Sequence, residues 1–188
     1  MTYPGSQFPD IPGSPREVPP VEKAMLAMSY GVHVIGSTNG AGELNAMLAD
    51  WVMQVSFTPR LVCVAIENDA TTLRNIRETN VFSVNMLHEK DGDRIARQVV
   101  MPHEGSKIRG RSEDAAAARH DKMRGLRHTL SPSGCPLLSD ALGWYTLDVQ
   151  QLVTAGDHTL VVGLVTDGDR TRPGEMLIER DLGWEYGG

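Results

Sequence analysis

The sequence predicts a mainly β domain, an antiparallel barrel with inserted helices, and three stretches carry that prediction. Residues 31–37, GVHVIGS, are a β-branched run, and Thr38 to Gly42, TNGAG, follows with the Asn-Gly signal of a tight hairpin turn. Asn45 to Phe57, NAMLADWVMQVSF, mixes small residues with the polar Asn45 and Asp50, and Arg60 to Glu67, RLVCVAIE, is a β-branched run opened by Pro59. Together they read as strand, bend and strand with an exposed backbone. Trp144 to Val153 and Thr159 to Thr166 form a second hairpin, joined through Ala155, Gly156, Asp157 and His158.

Taken in order, Met1 to Pro20 holds six of the eleven prolines and few large apolar residues, so it reads as a flexible arm before a domain at 21–188. Pro20 opens a helix in which Val21, Ala24, Met25 and Met28 share a face predicted to lie on the core, with Gly31 as its stop. His33, inside the first strand, reads as a packed or surface side chain rather than a ligand. Thr71 to Glu78 places Leu73 and Ile76 three apart behind a threonine N-cap, which predicts a short helix. Val81 to Leu87 is another core strand. From His88 to about Gly134 the pattern becomes a helical excursion, with helices over Asp91 to Val100 and Ser112 to Met123. The closing Glu179 to Gly188 is aromatic and glycine-rich and is expected to pack over an edge.

Composition bounds the function. A chain of 188 residues, 40% hydrophobic and 22% charged, suits one soluble globular domain. The net charge of -6 and the scattered Lys and Arg disfavour nucleic acid. No apolar run approaches the roughly 18 residues of a membrane span, and the N-terminus has neither a basic region nor an apolar core. The expectation is a cytoplasmic protein. Cys63 and Cys135 fit neither a disulfide scaffold nor a spaced metal site and read as free thiols.

The motifs of dinucleotide, P-loop, zincin and serine-hydrolase sites are missing. His103, His120 and His128 match no compact ligand spacing. Asp91 and Asp93 flank Gly92, but Ala96 to Met101 supplies no further carboxylate for a calcium loop, so an acidic helix start is the better reading. What remains is the central stretch. A backbone-rich edge near Asp50, followed by a helix N-terminus at Thr71 and Thr72, suits a planar heterocycle carrying a phosphate; an ordinary hairpin with a capped turn is the alternative.

The order of features narrows this. A G-x-x-V strand at Gly31, the small-residue segment, V-S-x-x-P from Val55, the threonine helix start, V-N-x-L from Val84 and G-D-H from Gly156 together resemble the flavin reductase-like family of the FMN-binding split barrel. The likeness runs from about Ala24 to Val165. It implies that Met47, Leu48, Ala49, Asp50 and Trp51 line the flavin ring through backbone groups, and that Asn68, Thr71 and Thr72, with Arg74, hold its phosphate. His158 is implied near the ring where nicotinamide docks, able to orient an amide or stabilise charge, although Asp157 and His158 can equally stabilise the turn. The family usually has threonine, alanine and serine or asparagine at Leu48, Ala49 and Asp50, so this chain loses hydroxyl contacts and gains a carboxylate that opposes negative charge on the reduced ring. The resemblance implies an FMN-dependent oxidoreductase, with FAD possible. NADH or NADPH would deliver hydride to flavin N5, and the electrons would pass to oxygen, a partner monooxygenase or another acceptor. A flavin, deazaflavin or haem binder without that activity is the alternative, and a homodimer is expected from the edges a split barrel leaves open.

Overall fold

The computed structural model describes residues 19–100 and 121–183. Its strands are β1 (His33–Thr38), β2 (Leu44–Ala49), β3 (Val52–Ser56), β4 (Leu61–Glu67), β5 (Val81–Met86), β6 (His128–Leu130), β7 (Pro136–Leu138), β8 (Gly143–Ala155) and β9 (His158–Asp169). Helices α1 (Pro20–Met25), α2 (Thr71–Thr79) and α3 (Gly92–Val99) join them, and Glu179–Leu182 forms a short 3-10 turn. The large sheet is antiparallel in the order β2-β1-β5-β8-β9-β4-β3, and β6 and β7 make a separate small hairpin.

That order dictates closure. β2 and β3 lie at opposite edges of the sheet, yet only Asp50 and Trp51 separate them in the chain. Three extended residue steps reach no more than about 11 Å, so the sheet must curl until its edges meet. The barrel is therefore closed by a bend in the chain, with β2 laddered only to β1 and β3 only to β4.

Strand alternation sends Ile35, Val64, Ile66, Phe82, Val84, Leu147 and Val161 inward, where Leu73 and Ile76 of α2 join them in one buried cluster. Helix α2 plugs the barrel. The outer face of β1 and β2, through Val32, Val34 and Ala46, packs on Ile95, Ala96 and Val99 of α3 and on Leu138 and Leu177. β1 is buried on both faces, which explains its nearly unbroken apolar reading. The long β8–β9 hairpin carries register shifts between Thr146 and Leu147 and between Val149 and Gln151, irregularities of the kind that let strands bend around a barrel.

Several expectations are corrected. Helix α1 does not lie on this core: Val21, Met25 and Met28 remain 71%, 51% and 52% exposed, because the barrel fills its interior with α2 and covers its outer face with α3. The β1–β2 connection is a five-residue loop, with Thr38 opposite Leu44. Asn39 organises it by accepting hydrogen bonds at Oδ1 from the N–H groups of Ala41 and Glu43, and the left-handed residue is Gly42 rather than Asn39 or Gly40. The N-cap of α2 is Ala70, not Thr71, and no side chain caps it. β6 falls at the end of the region read as helical and β7 just beyond it; strands of three residues leave too little alternation to be seen. The proline-rich arm to residue 18, most of the helix over Ser112 to Met123, His103, His120 and the last five residues lie outside the described residues.

Asp91 is held by an arginine. Its carboxylate accepts two hydrogen bonds from Arg172, at 3.0 Å each, which holds its pKa below the usual carboxylate range. Both cysteines are free. No helix among the described residues is long and apolar enough to cross a membrane.

Candidate functional site

The site is built along one rim of the barrel. As an edge strand, β2 leaves alternate N–H and C=O groups of Met47, Leu48 and Ala49 without ladder partners. At its end the chain turns sharply: Val52 N–H donates to the Asp50 carbonyl at 2.9 Å, and Ala65 N–H donates to the Trp51 carbonyl at 3.1 Å. The second bond anchors the bend to β4. Trp51 packs on His158, with ring centroids 5.1 Å apart and planes 44° to one another.

His158 is placed by the hairpin turn. Ala155 pairs with His158, and Gly156 supplies the positive φ of 63° that a two-residue turn with glycine first requires. The imidazole Nδ1 lies 2.7 Å from Asp157 Oδ1, and this contact lowers the Asp157 pKa. Asn68 then locks the turn: its N–H donates to the Asp157 carbonyl, its Nδ2 to the Gly156 carbonyl, and its Oδ1 accepts from Thr159. Asn68 thus ties the end of β4 to the turn that carries His158.

Helix α2 approaches the same strand. Its first hydrogen bond of the helical ladder runs from Arg74 N–H to the Ala70 carbonyl, so the N–H groups of Thr71, Thr72 and Leu73 have no partner within the helix. The two threonines differ. Thr71 is half-buried, and its hydroxyl accepts from the exposed Arg74 at 3.4 Å. Thr72 is 1% exposed and accepts from Asn45 Nδ2 at 2.8 Å, which ties α2 to β2. Asn45 Oδ1 is buried without a hydrogen-bond partner. Asn45 and Asp157 are the residues the sequence reading left without a place at the site; the signal for the first was a polar residue in an otherwise apolar strand, and for the second its place inside the G-D-H triplet.

Asp50 is the electrostatic feature of the rim. Burial raises its pKa above the usual carboxylate range, against the opposing pull of its own and the Trp51 backbone N–H groups and of His158. His33 stands opposite Ala49 in the β1–β2 ladder, and its pKa is pushed down to about 4 by burial, against the opposing pull of the Ala49 and Gly31 backbone. It lines an open groove of about 480 Å³ with Val52, Arg60, Met86 and Tyr145, a groove that includes none of the candidate ligand residues.

The arrangement offers a strip of unpaired backbone for hydrogen bonding a planar ring edge, an indole and imidazole beside it, and an uncapped helix N-terminus for an anion. These fit a flavin phosphate.

The flavin reductase like domain family matches residues 25–181. The chain is 30% identical over 148 residues to diflavin flavoprotein A 1 of Synechocystis sp., covering 79% of this chain and 23% of that protein. It spans 40% or less of the length of the first curated relatives it matches. Among solved structures, the NADH:FAD oxidoreductase of Streptomyces globisporus C-1027 superposes with a TM-score of 0.70 at 22% identity, covering 88% of this chain and 93% of that one. The flavin reductase component of a bacterial two-component tryptophan halogenase gives 0.68 at 23% identity, covering 89% and 95%. At these identities the structural likeness shows the split-barrel fold.

Proposed function

The chain belongs to the flavin reductase like family, and on that premise we propose that it is an oxidoreductase that binds FMN, or FAD, along the rim from Met47 to Trp51 and takes hydride from NADH or NADPH. The observation that carries this reading is the bend at Asp50 and Trp51, held against His158, on the strand to which Asn45 and Thr72 tie the uncapped start of α2.

The flavin supplies the redox chemistry when bound, accepting hydride at N5. The protein's part is placement. Backbone groups of Met47 to Asp50 pair the ring edge, Trp51 shields one side from water, and the N–H groups of Thr71 to Leu73 with the Thr71 hydroxyl hold the phosphate, with Arg74 adding charge. His158, oriented by Asp157 and by the Asn68 latch, presents Nε2 to the nicotinamide amide or to developing charge. The electrons pass to oxygen, to a partner monooxygenase or to another acceptor; the likeness to a halogenase reductase component supports a partner enzyme.

The test is optical. Purified protein with FMN should be yellow and should bleach on anaerobic addition of NADH or NADPH. Yellow protein that neither nicotinamide bleaches would instead favour a flavin binder without reductase activity, a Soret band a haem binder, and failure to bind flavin would sink the reading.

A homodimer completes this proposal. β3 is an edge strand whose outer face exposes Met53 and Val55, and Phe57 beside it is 87% exposed. A second copy of the chain is the occupant we propose for that face, since two-fold pairing is the commonest way for a soluble protein to cover such a patch. Light scattering at low micromolar concentration should give close to twice the 20.5 kDa chain mass. Phe57→Asp should shift the protein toward the monomer, and a wild-type protein that scatters as a monomer would end the dimer proposal.

A further inference from the structure

The groove of about 480 Å³ has no part in the flavin reading, and its chemistry is distinctive. Helix α2 is bonded to one set of strand ends: Asn75 donates to Ser37 near the end of β1, and Arg77 donates to Thr159 at the start of β9. The groove is lined from the opposite ends of the same strands, by His33 at the start of β1 and Asp169 at the end of β9. Its wall is apolar and aromatic. Val52, Tyr145 and Val165 line it and also pack against the buried cluster inside the barrel, and Trp144 adds an indole.

Two polar groups of that wall are unused. His33 is 6% exposed, and its Nδ1 is buried with no hydrogen-bond partner. The Tyr145 hydroxyl makes no hydrogen bond among the described residues, and burial pushes its pKa up to about 12, so it stays neutral and able to donate or accept. Polar groups in such surroundings are normally paired, so these two mark a place for a partner from outside the chain. Charge is added by exposed residues. Arg60, Arg170 and Asp169 line the groove, two cations against one carboxylate. The Arg60 guanidinium has no hydrogen bond or ion pair among the described residues, whereas Arg170 donates to the Gly174 carbonyl, which holds it in place and leaves further N–H groups to offer.

We propose that this groove binds a small planar aromatic acid, with its carboxylate against Arg60 and Arg170, its ring on Trp144 and Val165, and a hydroxyl at its far edge toward Tyr145 and His33. The guanidinium fork matches a carboxylate, and the indole and aliphatic wall match a flat ring. The volume falls within the range of about 300–1,000 Å³ typical of small-molecule sites. The site goes beyond the flavin reading and does not depend on it, since no residue assigned to the flavin lines the groove.

The experiment is isothermal titration of the full-length protein with hydroxynaphthoate, its hydroxyl at the end away from the carboxylate. One molecule should bind per chain with a Kd of about 0.1–1 mM, the range a ligand of this size reaches. Naphthol, which lacks the carboxylate, should bind at least about tenfold more weakly, because hydrogen bonds between charged groups are the strong ones. Arg60→Gln should weaken hydroxynaphthoate about fivefold or more while leaving naphthol within about a factor of two. Arg60 has no bond within the described chain to lose, so this variant carries the test if Arg170→Gln disturbs the Gly174 loop. Tyr145→Phe should weaken hydroxynaphthoate about threefold or more and leave naphthoate, which has no hydroxyl, unchanged. Failure of hydroxynaphthoate to bind at millimolar concentration, equal affinity for naphthol, or unaltered affinity in Arg60→Gln overturns the site, and an unaltered Tyr145→Phe overturns the orientation. Displacement of hydroxynaphthoate by FMN would place the aromatic acid at the flavin rim and overturn the separate groove.

Discussion

Thr71→Val is expected to weaken FMN binding about tenfold or more while leaving riboflavin within about a factor of two, because a hydrogen bond to a charged group is worth about 1.5–3 kcal/mol. The first turn of α2 has three N–H groups without partners in the helix and no side-chain cap on its N-cap residue, so a phosphate there meets donors that the helix itself does not use. Thr71 is the threonine positioned to add a hydroxyl. Thr72 is committed to Asn45, and its replacement by valine has a different signature: the buried amide loses its acceptor, stability falls by about 1–3 kcal/mol, and both ligands weaken alike through the loosened β2. Isothermal titration of each variant with FMN and riboflavin separates the two effects. Equal losses of FMN and riboflavin in Thr71→Val would remove the phosphate from this turn.

The second large effect lies inside the barrel. Phe82 is fully buried, and its ring occupies the space above Gly163: a Cβ at Gly163 would sit 2.9 Å from ring atoms of Phe82 and 2.8 Å from the Leu147 Cβ. Phe82→Ala should therefore cost about 3–5 kcal/mol, a large part of the roughly 5–15 kcal/mol that holds a domain folded. Gly163→Ala should cost about 1–3 kcal/mol by overpacking. The two changes should add only in part, because the cavity left by the ring relieves the new methyl on that side while the Leu147 Cβ stays in place, and urea melts of the single and double variants measure the coupling. Additive costs would mean that the Leu147 Cβ, and not the ring, confines Gly163.

The strands were legible because β-branched runs and turn residues alternate cleanly from Gly31 to Glu67 and again from Trp144 to Thr166. The family order of motifs carried the same information. The placement of α1 was not legible, since an apolar face at helical spacing shows that a surface wants covering, not which surface covers it. Nor could spacing show that β2 and β3 end at opposite edges, because strand order is set by contacts far apart in sequence. At the site, the fold brings Asp50, Trp51 and His158 to one bend. Asn68 and Thr72 stand near it too, but each spends polar groups on a neighbouring element, and only the fold shows that Gly156 and Asn45 are those neighbours.

Closure of the barrel by Asp50 and Trp51 separates architecture from recognition. Every ladder of the large sheet runs between strands other than the pair flanking this bend, so a backbone break between Asp50 and Trp51 would sever no strand pairing. A circular permutant with its new ends at this seam, and its old termini linked, should keep the β-sheet circular dichroism of the parent. It should lose flavin affinity, because the rim would then have two fraying ends where the parent has one taut corner. Scaffold and ligand grip would thus come apart at a single peptide bond.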